Sequence, residues 1–132
     1  MNNKIIYQSQ THIETIREQA YSNDDVFYVE VNGRECKRFS DYLVDISHKL
    51  YFPTVVNGFA GYDDWITDLT WLRQNNIIMV ISNYQEFLKD DMSYRKKIIE
   101  HLEQSVLPWW ETEVSSCVVE GKPKTFIVYL LD

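Results

Sequence analysis

Ile77-Ile78-Met79-Val80-Ile81 is an unbroken apolar run in the middle of the chain. A run this short, with no polar alternation, suits a strand covered on both faces, as in a parallel sheet packed between helices. Two further segments, Val26 to Val31 (VFYVEV) and Thr125 to Leu131 (TFIVYLL), carry the β-branched and aromatic residues of strands. The stretches between them read as helices. Leu43, Ile46 and Leu50 stand at spacings of 3 and 4, as one helical face requires. Ser40 and Asp41 serve the start of that helix and Pro53 its end. Ser93 caps a long helix with Ile98, Ile99, Leu102 and Val106 facing inward, interrupted by Pro108 and followed by Trp109-Trp110, read as core packing. From residue 26 the order is strand, helix, helix, strand, helix, strand. Strands joined by helical crossovers make an α/β domain with a parallel sheet.

The 132 residues suffice for one domain, and the 45% apolar content suffices for a core. Lys and Arg total 13 against 20 Asp and Glu, a formal charge of −7. Nucleic acid is therefore not expected as a direct ligand, because phosphate neutralisation needs clustered cations. A basic protein partner is compatible with that field. Cys36 and Cys117 lie far apart, form no CxxC pair, and read as free thiols of a reducing compartment. The first residues lack the apolar run of a signal peptide, and no stretch is long and apolar enough to span a membrane. The expected location is cytoplasmic.

Residues 1–25 read as an N-terminal extension preceding a domain over 26–132. Lys4-Ile5-Ile6-Tyr7 has the character of a short strand. Thr11 and Glu14 have capping-box spacing, and Ile13, Ile16 and Ala20 share a helical face. Asn32-Gly33 is a turn pair, since both residues tolerate positive φ.

The stretch from Leu50 to Leu72 (LYFPTVVNGFAGYDDWITDLTWL) carries the functional signal. A loop with Pro53, Asn57, Gly58 and Gly61 leads into a helix predicted over 62–72. That helix places Trp65, Leu69 and Leu72 on its buried face with Tyr62 nearby. Asp64, Asp68 and Trp71 share a neighbouring stripe, and Asp63, Thr67 and Thr70 another. Adjacent and i,i+4 carboxylates repel one another with no structural return. Acidic groups flanked by aromatic anchors suit a protein interface better than catalysis.

Four features together resemble the barstar family of ribonuclease inhibitors. The first strand runs into Asn32-Gly33. The helix SDYLVDISHKL from Ser40 leads to the aromatic-proline step Phe52-Pro53. The loop-helix GYDDWITDLTWL is similar to the family's acidic helix, and the strand IIMVI follows shortly after. The resemblance covers residues 26–132. It implies a small three-stranded parallel sheet packed with helices. It also implies an intracellular inhibitor or immunity protein that plugs the cationic active site of a ribonuclease or related nuclease toxin. Aligning Leu69-Thr70 with the family's Leu-Thr puts Asp63 and Thr67 on the two acidic positions, with Asp68 where Cys is usual. Shifting by one puts Asp64 and Asp68 there instead. The first frame is preferred because it sends Trp65 and Leu69 to buried positions. Phe59 falls where the family presents aromatic contacts. The expected partner-binding set is Phe59, Tyr62, Asp63, Asp64, Thr67, Asp68, Thr70 and Trp71.

Two other classes compete. One is a regulatory or interaction domain of the same fold that binds no nuclease. The other is an enzyme or metal site built on the acidic cluster. The sequence offers the latter little, because His12, His48 and His101 lie on separate predicted helices without metal-ligand spacing. With four glycines and no phosphate-binding loop or nucleophile elbow, no cofactor, metal or catalytic residue is expected.

Overall fold

The structure is a computed structural model and describes residues 2–132. Four parallel strands form one sheet in the order β1-β4-β3-β2. They are β1 (Lys4–Gln8), β2 (Val26–Asn32), β3 (Asn76–Ser82) and β4 (Thr125–Leu131). The expected sheet of three strands is corrected to four. The Lys4-Ile5-Ile6-Tyr7 segment adds to the outer edge of β4, with Ile5 opposite Val128 and Ile6 opposite Tyr129. Asn3 fastens the join. Its side chain donates to the Leu107 and Lys124 carbonyls, both at 3.1 Å, and accepts from Phe126 N at 2.8 Å.

Helices lie on both faces. On one, α2 (Phe39–Lys49), α3 (Phe59–Ile66) and α4 (Met92–His101) pack against Val29, Val31, Ile77, Met79, Ile81, Phe126, Val128 and Leu130. On the other, α1 (Ile13–Tyr21) packs Ile16 against Val80 and Leu131. The chain steps one way across the sheet from β2 through β3 to β4, and the other way from β1 to β2. Right-handed connections then require α1 on the face opposite the other helices. This is why the β3 run is apolar throughout: Ile77, Met79 and Ile81 serve one layer and Val80 the other.

Several local expectations change. α1 begins after His12, not after a Thr11 cap, and Ser9 Oγ accepts from Thr11 N at 3.3 Å instead. Arg38 precedes α2, and Asp41 accepts from Arg38 N at 3.1 Å. Gly33 does not have positive φ. It is required because a Cβ there would stand 2.2 Å from the Asn83 carbonyl oxygen. Pro108 does not interrupt the long helix. Two π-type stretches, Leu102–Val106 and Trp109–Glu113, carry the helical path past it to α5 (Val114–Cys117). Wider turns accommodate a residue that cannot donate an i→i−4 bond.

Candidate functional site

The loop before α3 is fixed by the end of α2. Buried Ser47 donates to Leu43 O at 2.6 Å and accepts from Val56 N at 3.2 Å. Phe52 N reaches Ser47 O at 2.9 Å. These bonds deliver the chain to Gly58, where α3 begins.

α3 is shorter and earlier than expected, spanning Phe59–Ile66 rather than 62–72. Its buried stripe is Tyr62 and Ile66, continued by Leu69; Trp65 is half-buried. The helix stops because Leu69 takes a left-handed φ of 48° and the indole of buried Trp110 donates to Ile66 O at 2.9 Å. That carbonyl no longer serves a further turn. Residues 67–72 therefore present their side chains from turns, and the stripes predicted for a longer helix do not exist.

Tyr62 is withdrawn from the partner-binding set. It is fully buried, and its hydroxyl meets that of Tyr42 at 2.7 Å. Burial pushes both phenols above their ordinary value of 10.0, with the neighbouring tyrosine a further cause for Tyr42.

The other expected residues divide among four directions. Phe59 and Asp63 face α4. The imidazole of His101 lies edge-on to Phe59, with ring centres 4.7 Å apart, and Lys97 Nζ sits 4.2 Å from the centre of the Phe59 ring. Asp63 Oδ1 is 2.6 Å from His101 Nε2. A carboxylate only accepts, so Nε2 donates. Thr67, Asp68 and Thr70 line a groove of about 440 Å³, closed on its other side by Trp109, Val118, Val119 and Lys122. Thr67 donates its hydroxyl to Asp63 O at 2.7 Å, so only its lone pairs remain for a partner. Trp71 points elsewhere. Its indole donates to Leu50 O at 2.8 Å, and its ring lines a separate shallow groove with Phe27, Tyr51 and Pro53. Asp64 is exposed on the outer side of α3.

The turn after residue 72 is also held from inside. Lys124 is buried and donates to Leu72 O at 3.3 Å and Gln74 O at 2.5 Å, while burial lowers its pKa. No residue pattern marked this lysine's role, nor the wall that the segment 109–122 adds to the Asp68 groove. Exposed Val118 and Val119 were the available hint.

No ion pair among the described residues uses Asp64 or Asp68. No group of three His, Cys, Asp or Glu among the described residues is placed to hold a metal ion. No helix among them is long and apolar enough to cross a membrane. Arg95 lies over the Tyr84 ring and Lys97 over the Phe59 ring.

A search of curated proteins and a search of solved structures each returned no match. The family comparison matches residues 26–121, which takes in β2, β3 and every helix from α2 to α5, and on that match the chain belongs to the Barstar (barnase inhibitor) family.

Proposed function

We propose that this chain is an inhibitor or immunity protein that binds and blocks the cationic active site of a ribonuclease or related nuclease toxin. The contact is made by α3 and the turn that follows it. The carrying observation is that exposed Asp64 and half-buried Asp68, four residues apart, are in no ion pair among the described residues. Two carboxylates without an internal partner gain most from a partner's Arg, Lys or imidazolium. The net charge of −7 draws a basic protein in at long range. Asp68 lines the groove beside Thr70 and Asp64 lies outside it, so the two carboxylates meet separate cations of the partner.

The test is inhibition and binding kinetics against a panel of cationic ribonucleases, barnase included. The expected result is inhibition of at least one, with association slowed by added salt and dissociation less affected. Asp64→Ala combined with Asp68→Ala should abolish the salt-sensitive association. Salt-indifferent association, or an unchanged double variant, counts against the reading.

A further inference from the structure

His101 stands beside α3 in a placement that packing alone does not explain. Its side chain is 8% exposed, enclosed by Phe59 and Tyr62, with the Tyr62 ring 5.6 Å away. Nδ1 is buried with no hydrogen-bond partner among the described residues. A buried polar atom left unpaired is costly, and a leucine or phenylalanine would fill such a nest without that cost. The polar return His101 gains among the described residues is the 2.6 Å bond from Nε2 to Asp63. Asp63 itself is 45% exposed, so water alone would satisfy it.

We infer that His101 is a positioning residue that ties Asp63 back against α4, leaving Asp64 and Asp68 as the carboxylates offered to a cationic partner. This rests on the reading of α3 as a surface for a basic protein. The bond joins α3 to α4 across 38 residues of sequence, so it also fixes how α3 is rolled on the core. With Asp63 held inward, Asp64 keeps its outward aim. Thr67 reinforces the arrangement by bonding the Asp63 carbonyl. The acidic surface is thus selective: of three neighbouring carboxylates, one is engaged by His101 and two have no ion pair among the described residues.

The test is carbon-detected NMR of the Asp side-chain carboxyl carbons while an oligoarginine peptide is titrated into the full chain. The expected shifts are large at Asp64 and Asp68 and small at Asp63. In His101→Leu, Asp63 should shift as far as the other two, and His101→Gln, whose amide can still donate, should restore the small shift. The imidazole nitrogen spectrum supplies a signature that packing would not move: Nε2 carries the hydrogen in the native chain, and Asp63→Asn changes its shift. Should His101→Leu fail to fold, peptide affinity decides. Asp63→Asn should leave it unchanged, while Asp64→Asn and Asp68→Asn each lower it several-fold. Equal shifts at all three carboxylates in the native chain overturn the positioning role but leave a cationic partner standing. No shift at any of the three overturns the cationic-partner reading and the inference with it.

Discussion

The Tyr42 and Tyr62 hydroxyls meet at 2.7 Å between α2 and α3, where both side chains are fully buried. The two rings cross at 64° with centres 5.5 Å apart, and Phe87 stands edge-on to Tyr42 at 5.2 Å. This polar contact in an aromatic core ties α2 to α3. Each hydroxyl has the other as its partner, so the pair is satisfied only as a pair.

Tyr42→Phe or Tyr62→Phe leaves one hydroxyl buried and unpaired, and each is expected to cost about 1–3 kcal/mol. The double variant should lose less than the sum, because neither hydroxyl then remains to be desolvated. Guanidinium denaturation of the two singles and the double checks this; strictly additive losses would show that the hydroxyls do not interact. The proposed binding of a ribonuclease should survive in Tyr62→Phe, since Tyr62 offers no surface.

Arg17 on α1 grips Glu30 on β2 with two hydrogen bonds, at 2.5 and 2.7 Å, and Tyr28 adds a third at 2.8 Å. The Arg17 bond is the largest cause holding the Glu30 carboxyl below its ordinary 4.5. A carboxylate with a lowered folded pKa stabilises above its unfolded value, and that stability is lost as pH falls through the folded value. Arg17→Ala should therefore cost about 1 kcal/mol near neutral pH. Its stability curve should converge on the native one below the ordinary glutamate range. Chemical denaturation across an acid series measures both.

Deleting residues 1–25 strips α1 from its face of the sheet and β1 from the edge of β4. Val80 and Leu131, both fully buried, would face water. Each such side chain is worth roughly 1.5–3 kcal/mol, and Ile16 and Ala20 are lost as well. The truncated chain is expected to melt far below the full chain or to bind a hydrophobic dye in native buffer. An unchanged melting temperature would mean that residues 26–132 stand alone as a domain.

Cys36 and Cys117 differ in reactivity. Burial, with Asp45 as a second cause, pushes the Cys36 thiol up to about 12, whereas Cys117 is exposed. An alkylating reagent near pH 8 should modify Cys117 alone in the native protein and both in denaturant. Rapid native labelling of Cys36 would show that the α2 end of the core opens.

The positions of the three main strands were legible because each carries a dense apolar or β-branched signature that little else can satisfy. The acidic, aromatic character of the segment 59–72 was legible for the same reason: charge and ring content are read directly from residue type. The bounds of α3 were not. Periodicity runs on smoothly to Leu72, and what ends the helix at Ile66 is the indole of Trp110, 44 residues away. The same gap explains Tyr62. Its spacing fits either a contact or a core position, and only the hydroxyl of Tyr42, on another helix, makes burial affordable.

By itself the sequence determined that alternating strands and helices must form a parallel sheet, since a fully apolar strand needs cover on both sides. It also determined that a cluster of carboxylates with aromatic neighbours lies just after the first helix of the domain. Only the tertiary structure decided that the leading residues complete the sheet and cover its second face. It alone sorted the carboxylates as well, turning Asp63 toward His101 and leaving Asp64 and Asp68 without an ion pair among the described residues. Which partner a side chain finds depends on groups distant in sequence, and local spacing carries no record of them.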